Sequence, residues 1–293
     1  MPPKVSICIP TFNRKDYLAE TLESIYSQTY KDYEVLVVDD GSTDGTKEML
    51  EERGYNLRYH WQENAGNAAA RNTLLKMAQG KYVAFLDSDD LFTPDAIERM
   101  VKAMESEPED VIVYGPYLRI DKNGKVTGRS KRELYNGYCA KEIFQTIFIH
   151  TYGSMFPRRA LEEVGGFDAS LPVCPDYDLW LRLSLKYRFV SLSEPTSRRR
   201  RHDSNISSRS FLTCTTKLKV LERFYFERGG QGKIPKRIAM RRLSKQAFRA
   251  GMATMSKGEY DTAGDFFQRS LRYRLNLKSL IYGALTALKR RSS

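Results

Sequence analysis

The sequence predicts an α/β fold, a mainly parallel sheet flanked by helices, followed by a C-terminal α-helical extension. Two patterns and one asymmetry predict it. Short apolar runs alternate with amphipathic stretches over residues 5–86, and three of the four runs are closed by Pro10, Asp39 and Asp87. Charge is divided between two regions. Residues 1–194 hold 24 Lys and Arg against 30 Asp and Glu, a net of −6, while residues 195–293 hold 24 against 6, a net of +18. The overall charge of +12 therefore belongs to the tail.

Val5-Ser6-Ile7-Cys8-Ile9, closed by Pro10, reads as a buried first strand. A helix follows with Leu18, Leu22, Ile25 and Tyr26 on one face, and Tyr33-Glu34-Val35-Leu36-Val37-Val38 forms the next strand, ending at Asp39-Asp40-Gly41. The alternation continues as helix 43–53, strand 57–60, helix 67–78 and strand 81–86. Such spacing implies a parallel sheet covered on both faces, whose ligands bind beyond the carboxyl ends of the strands. Thr11-Phe12-Asn13, Asp39-Asp40 and Asp87-Ser88-Asp89-Asp90 all fall there.

After Pro94 a helix is expected to Ser106, then one strand over 111–120, a turn at Asn123-Gly124 and a mixed stretch to Asp176. Residues 178–186 have helical spacing with Leu179, Trp180, Leu183 and Leu185, and a short strand reaches Leu192. Beyond Arg201 the chain reads as helices broken near Gly229-Gly230 and at Gly258. The last, residues 275–289, lines up Leu277, Leu280, Ile281, Ala284, Leu285 and Leu288 and ends in Lys289-Arg290-Arg291. The expected division is an α/β domain over 1–205 and a basic helical extension over 206–293. The extension contains one tetratricopeptide-like hairpin marked by Gly251, Ala263 and Phe267.

Composition narrows the function class. With 41% hydrophobic and 29% charged residues the chain is a folded protein rather than a disordered one. Cys8, Cys139, Cys174 and Cys214 form no C-x-x-C pair, so they read as reduced thiols without zinc. No signal-peptide pattern and no membrane-spanning run is present, so the expected location is cytoplasmic, with any membrane contact peripheral on the inner face. The tail lacks interleaved aromatics and any nucleic-acid-binding motif, so no nucleic acid is expected as partner. Nucleotide signatures of other kinds fail. Gly229-Gly230-Gln231-Gly232-Lys233 lacks the earlier Gly and final Ser or Thr of a P-loop, and the calcium-loop spacing from Asp40 to Glu51 follows a strand and has Lys47 where an apolar residue is required.

The strongest chemical signal is Asp87-Ser88-Asp89-Asp90. Three carboxylates in four residues repel one another unless a cation or well-placed donors hold them. A hard divalent ion, Mn2+ or Mg2+, carrying a nucleoside diphosphate is one reading, and a solvated acidic turn with Asp90 capping a helix is the other. Asp39 and Asp40 lead either into a helix cap or to a base or ribose. Arg71 reads as a bidentate partner for a diphosphate or a base carbonyl, or as a surface residue. Asp176 and Asp178 are helix N-terminal charges or include a general base. His202 follows four arginines suited to phosphate, and residues 135–157, with His150, Tyr152 and Ser154, receive no individual roles.

Taken together, Pro10-Thr11-Phe12-Asn13-Arg14, Val38-Asp39-Asp40-Gly41-Ser42-Thr43-Asp44, Ala70-Arg71-Asn72, Phe85-Leu86-Asp87-Ser88-Asp89-Asp90, Gly165-Gly166-Phe167-Asp168, Asp176-Tyr177-Asp178-Leu179-Trp180-Leu181-Arg182 and His202 occur in an order that resembles a family 2 glycosyltransferase of GT-A fold, over roughly residues 4–205. The resemblance implies a metal-dependent, inverting, hexosyltransferase-type enzyme using a nucleotide-sugar donor, with UDP favoured. Its acceptor would be a hydroxyl of a cell-envelope or extracellular glycan or a lipid-linked precursor. It implies that Pro10, Thr11 and Phe12 wall the nucleotide pocket, and that Asp39, Asp40 and Arg71 contact the nucleotide. Asp87 and Ser88 would face the ribose or sugar, Asp89 and His202 the metal and diphosphate, and Asp176 would be the base. The family often has Glu before that base, where this chain has Pro175. Two alternatives stand beside it, a non-catalytic nucleotide-sugar-binding scaffold and a basic nucleic-acid-binding protein. The final helix either meets anionic lipid headgroups or docks its apolar stripe on the helices before it.

Overall fold

The computed structural model describes residues 2–201 and 210–290. The chain divides into two compact units: one holds the described residues within 1–139, 147–169 and 186–204, and the other those within 140–146, 170–185 and 205–293. The second unit thus joins the basic tail to two segments from within the first 205 residues.

The first unit begins with β1 (Val5–Thr11), α1 (Lys15–Tyr26), β2 (Tyr33–Asp39), α2 (Thr46–Arg53), β3 (Arg58–Trp61), α3 (Asn67–Met77) and β4 (Tyr82–Phe85). β1 is buried along its whole length, and α1 places Leu18, Leu22 and Ile25 against it, as the periodicity requires. Adding β6 (Val111–Tyr114), β9 (Ser154–Pro157) and β10 (Arg188–Ser191), the described residues form a seven-stranded sheet ordered β10-β6-β9-β4-β1-β2-β3. Every neighbouring pair is parallel except those of β9, which runs antiparallel to both β4 and β6. Register sets Thr11 beside Asp39, and Cys8 beside Phe85 at the end of β4. The turns after β1, β2 and β4 therefore emerge on one rim.

The single strand expected over 111–120 is two strands in different sheets. β7 (Tyr117–Ile120) leaves the large sheet and joins β5 (Leu91–Phe92), β11 (Ser197–Arg200) and β8 (Val126–Arg129) in a four-stranded sheet ordered β5-β11-β7-β8. The switch falls at Gly115-Pro116. Proline has no N–H to continue a ladder, its carbonyl accepts the Thr196 N–H at 3.0 Å, and a Cβ on Gly115 would lie 2.6 Å from Thr196 Cγ2. Helices α4 (Ala96–Glu105) and α6 (Arg158–Glu163) complete this unit, with Ile97, Met100 and Val101 of α4 packed into the core beside Val111 and Val113.

In the second unit α5 (Ala140–Gln145), α7 (Pro175–Ser184), α8 (Ser210–Glu222), α9 (Lys236–Met255), α10 (Tyr260–Tyr273) and α11 (Leu277–Arg290) are helices. α7 starts three residues before the expected position because Pro175 occupies its first turn, where a fixed φ and a missing N–H are tolerated. Tyr177 is fully buried and donates its hydroxyl to the carbonyls of Ile143 and Phe144, at 3.1 and 3.0 Å. In the hairpin of α9 and α10 the Phe267 ring lies where a side chain on Gly251 would have to sit.

Candidate active site

The rim is built from three turns that tie one another down. After β1, Asn13 adopts φ 49°, its N–H donating to Ser42 Oγ and its Oδ1 accepting the Thr43 N–H, each at 2.8 Å. Asp39 accepts the Ser42 N–H at 2.8 Å and the Tyr59 hydroxyl at 2.9 Å. Burial first, and then the Asp39 charge, push the Tyr59 phenol up. Gly41, at φ +90°, brings the next turn against the Asn64 backbone, 3.1 Å from where a Cβ would stand. Asp40 is buried, and its carboxylate accepts Gln62 Nε2 at 2.7 Å and the N–H groups of Ala65 and Gly66 at 2.9 and 2.8 Å. Asp40 thus holds the loop that leads into α3.

One turn into that helix, Arg71 is buried, donates Nη2 to Asp87 Oδ1 at 2.6 Å and lies 5.3 Å over the Phe167 ring. Its Nε–H has no partner among the described residues. The acidic turn itself brings one oxygen each of Asp87, Asp89 and Asp90 within 4.8 Å of one another. Arg14 pairs with Asp89. Asp90 is buried, and that burial, then the charges of Asp89 and Asp87, push its carboxyl well above the usual carboxylate range. Three hard oxygen donors at this spacing fit a divalent cation of the Mg2+ or Mn2+ kind.

Residues that received no individual role from sequence, together with Thr11, complete the rim. Arg200, fully buried on β11, donates its N–H to Asp90 Oδ1 at 2.9 Å, its Nε to the Asp89 carbonyl at 3.2 Å and Nη2 to Glu20. Tyr152 bridges to Phe85 at the end of β4 and stacks on His150 with ring centroids 4.8 Å apart, Tyr117 meets both edge-on, and Arg199 lies 5.8 Å over the Tyr152 ring. Burial, then the charges of Arg132 and Arg199, lower the His150 pKa well below its usual value. His150 Nε2, the Tyr152 hydroxyl and the Thr11 hydroxyl are buried without hydrogen-bond partners among the described residues. Only the four-arginine run hinted at Arg199 and Arg200, whose strand alternation sends neighbours to different surroundings.

Of the residues singled out from sequence, Thr11, Asp39, Asp40, Arg71, Asp87, Ser88 and Asp89 come together on this rim, with Pro10 buried in β1 and Phe12 exposed in the turn after it. Asp176 belongs to the second unit, half-buried in the first turn of α7 with Oδ1 accepting the Tyr177 N–H at 2.9 Å. Its neighbour Asp178 is buried and held by Arg182 and Arg228 at 2.7 and 2.5 Å, which makes it structural. His202 lies outside the described residues.

A mainly parallel sheet with an acidic turn at its carboxyl rim is the GT-A architecture. The chain belongs to glycosyl transferase family 2, whose sequence model matches residues 6–165. It is 34% identical over 212 residues to the chondroitin synthase of Escherichia coli, a match covering 70% of this chain and 30% of that protein. The chain spans less than two thirds of the length of the curated relatives it matches. Among solved structures, S. aureus TarS 1-349 in complex with UDP-GlcNAc superposes with a TM-score of 0.69 at 19% identity, covering 99% of this chain and 92% of that one. The mannosyltransferase PcManGT from Pyrobaculum calidifontis, in complex with GDP-Man and Mn2+, gives 0.63 at 21% identity, covering 98% and 85%.

Proposed function

We propose that this glycosyltransferase moves a hexose, with inversion, from a nucleoside diphosphate donor to an acceptor hydroxyl. UDP is the favoured nucleotide, and the acceptor is a cell-envelope or extracellular glycan or a lipid-linked precursor. The observation that carries the reading is the convergence of Asp87, Asp89 and Asp90 on one rim with Arg14 and Arg71. The names of the relatives point the same way, towards polysaccharide synthases and UDP-GlcNAc.

Asp89 would hold a divalent cation with Asp87 turned to the ribose or sugar, and His202 is assigned to the same centre as Asp89. Bound there, the cation supplies positive charge to the departing diphosphate. Arg71, whose Nε–H has no partner among the described residues, is assigned to the nucleotide, where a buried guanidinium contributes directional donors. Thr11, Pro10 and Phe12 wall the base, and Asp39 and Ser88 border the ribose and sugar. The Asp40 contacts support a revised role, in which it shapes the Ala65-Gly66 loop against the nucleotide rather than meeting the base itself. Asp176 takes the proton of the acceptor hydroxyl. That oxygen forms its bond to the anomeric carbon on the face opposite the breaking carbon–oxygen bond to the diphosphate, which departs with the electron pair. A buried polar group without a partner costs about 1–3 kcal/mol, so the open Tyr152 hydroxyl and His150 Nε2 suit a polyhydroxylated ligand. The proposed location is the cytoplasm.

The test is a panel of UDP- and GDP-sugars assayed for Mn2+-dependent hydrolysis and for thermal stabilisation of the full chain. The reading expects one nucleotide to stabilise the wild type only with the metal, and Asp89→Ala to lose that response. No response to any donor, or an unchanged response in Asp89→Ala, overturns it.

A further inference from the structure

We propose that α11 is an interfacial membrane helix that lies along an anionic lipid surface with its leucines inserted. The structure separates the two faces of this helix in an unusual way. Its inward face carries small and polar residues and one aromatic ring, Tyr282. Ser279 and Thr286 are buried, Ser279 donates to Ser270 Oγ of α10 at 2.8 Å, Gly283 lies against Phe267, and the Tyr282 ring sits 5.8 Å from that of Phe267. The apolar stripe therefore does not dock on the preceding helix. Leu277, Leu280 and Leu288 are 71%, 51% and 62% exposed, and Ile281 and Leu285 are exposed between them.

These positions recur at three- and four-residue intervals, so the stripe is continuous along the 14 residues of α11. A water-facing helix places its leucines inward, whereas α11 turns Ser279 and Thr286 inward and its leucines outward beside Lys278 and Lys289. Among the described residues no helix is long and apolar enough to cross a membrane, so the fitting geometry is in the plane of the interface.

Charge selects the occupant. From Phe266 to Ser293 the sequence carries Arg269, Arg272, Arg274, Lys278, Lys289, Arg290 and Arg291 and no acidic residue, and the acids of α10, Asp261 and Asp265, are confined to its first half. Arg269 is engaged by Glu222 and Lys289 meets the Tyr260 hydroxyl, while Arg272, Arg274, Lys278 and Lys289 are all exposed. A second copy seated on the same stripe would set cations against cations. Anionic headgroups offer the complementary charge and an apolar layer beneath it, the combination on which interfacial binding depends.

The experiment is flotation of the full chain with vesicles of phosphatidylcholine alone or with about 30 mol % phosphatidylglycerol. The wild type is expected to float with the anionic vesicles and to release at high salt. Leu280→Glu with Leu285→Glu, which changes only exposed side chains and should keep the wild-type melting curve, is expected to lower partitioning by at least about tenfold. Arg272→Gln, Arg274→Gln and Lys278→Gln combined should weaken it several-fold without touching the stripe. Equal flotation of the leucine variant overturns the proposal. So does equal binding to neutral vesicles, or a wild type that does not float but elutes as a dimer which the leucine variant breaks.

Discussion

The backbone N–H of Arg200 donates to Asp90 Oδ1 at 2.9 Å, which joins the end of β11 to the acidic turn beyond β4. The same residue reaches the carbonyls of Asp89 and Lys122 and the carboxylate of Glu20 through its guanidinium, and its side chain is fully buried. Removing that buried guanidinium leaves the carbonyls of Asp89, Asp121 and Lys122 without their donor. Arg200→Met is therefore expected to cost about 2–4 kcal/mol in urea unfolding. Glu20→Gln should cost about 1 kcal/mol or less, because that carboxylate is 46% exposed and regains water. Equal losses in the two variants would show that the guanidinium supports nothing beyond its surface pair.

Asp40 provides a test that separates a structural carboxylate from a ligand contact. Its two oxygens serve Gln62, Ala65 and Gly66, so Asp40→Ala leaves two loop N–H groups and one amide unsatisfied. The expected outcome is a loss of about 2–4 kcal/mol without any donor present. Amide exchange of Ala65 and Gly66 should rise well before that of β2. A variant as stable as the parent, with only donor affinity reduced, would return Asp40 to the base.

The legible part of the fold is the part whose pattern is local. β1 through β4 and the helices between them follow from period and from the Pro and Asp that close β1, β2 and β4, and register alone then sets Thr11 beside Asp39. β9 was hidden because an antiparallel strand entering between β4 and β6 is decided by pairing, which its own four residues do not encode. β5 and β11 are short strands of the second sheet, and their pairing depends on the chain switching sheets at Pro116. In the candidate site, the acidic run and Arg71 are visible as motifs. The arrival of Arg14 and Arg200 is not, since each comes from a different turn or strand. For α11, an apolar stripe looks the same in sequence whether it faces in or out. Only the partner residues Ser270 and Phe267 decide that Ser279 and Gly283 turn inward.

Burial of His150 makes stability depend on pH in a defined direction. Its pKa in the folded chain is lowered by burial and by the Arg132 and Arg199 charges, so below the ordinary value of about 6.5 the unfolded chain binds a proton that the folded one does not. Above that pH the residue costs nothing. As pH falls through about 6.5 towards the lower folded value, stability should drop by up to about 1.4 kcal/mol per pH unit from this group. His150→Gln should flatten that part of the profile relative to the parent, in melts between roughly pH 7 and pH 5. Parallel profiles in the two proteins would mean that the imidazole is protonated in the fold.

The neighbouring aspartates of α7 should fail in opposite ways. Asp178 is buried between Arg182 and Arg228, so Asp178→Asn leaves two guanidinium groups short of their counter-charge and is expected to cost about 3 kcal/mol. Asp176 is half-buried, and the one hydrogen bond it accepts, from the adjacent Tyr177 N–H, can also be accepted by an amide oxygen. Asp176→Asn should therefore melt with the parent and bind donor with unchanged affinity in calorimetry. An amide cannot take a proton from the acceptor, so turnover should fall by about 10² to 10⁴ while KM for the donor stays put. Transfer at the parental rate by a folded Asp176→Asn removes the base from the mechanism. A large drop in stability instead makes Asp176 a helix-terminal charge like its neighbour.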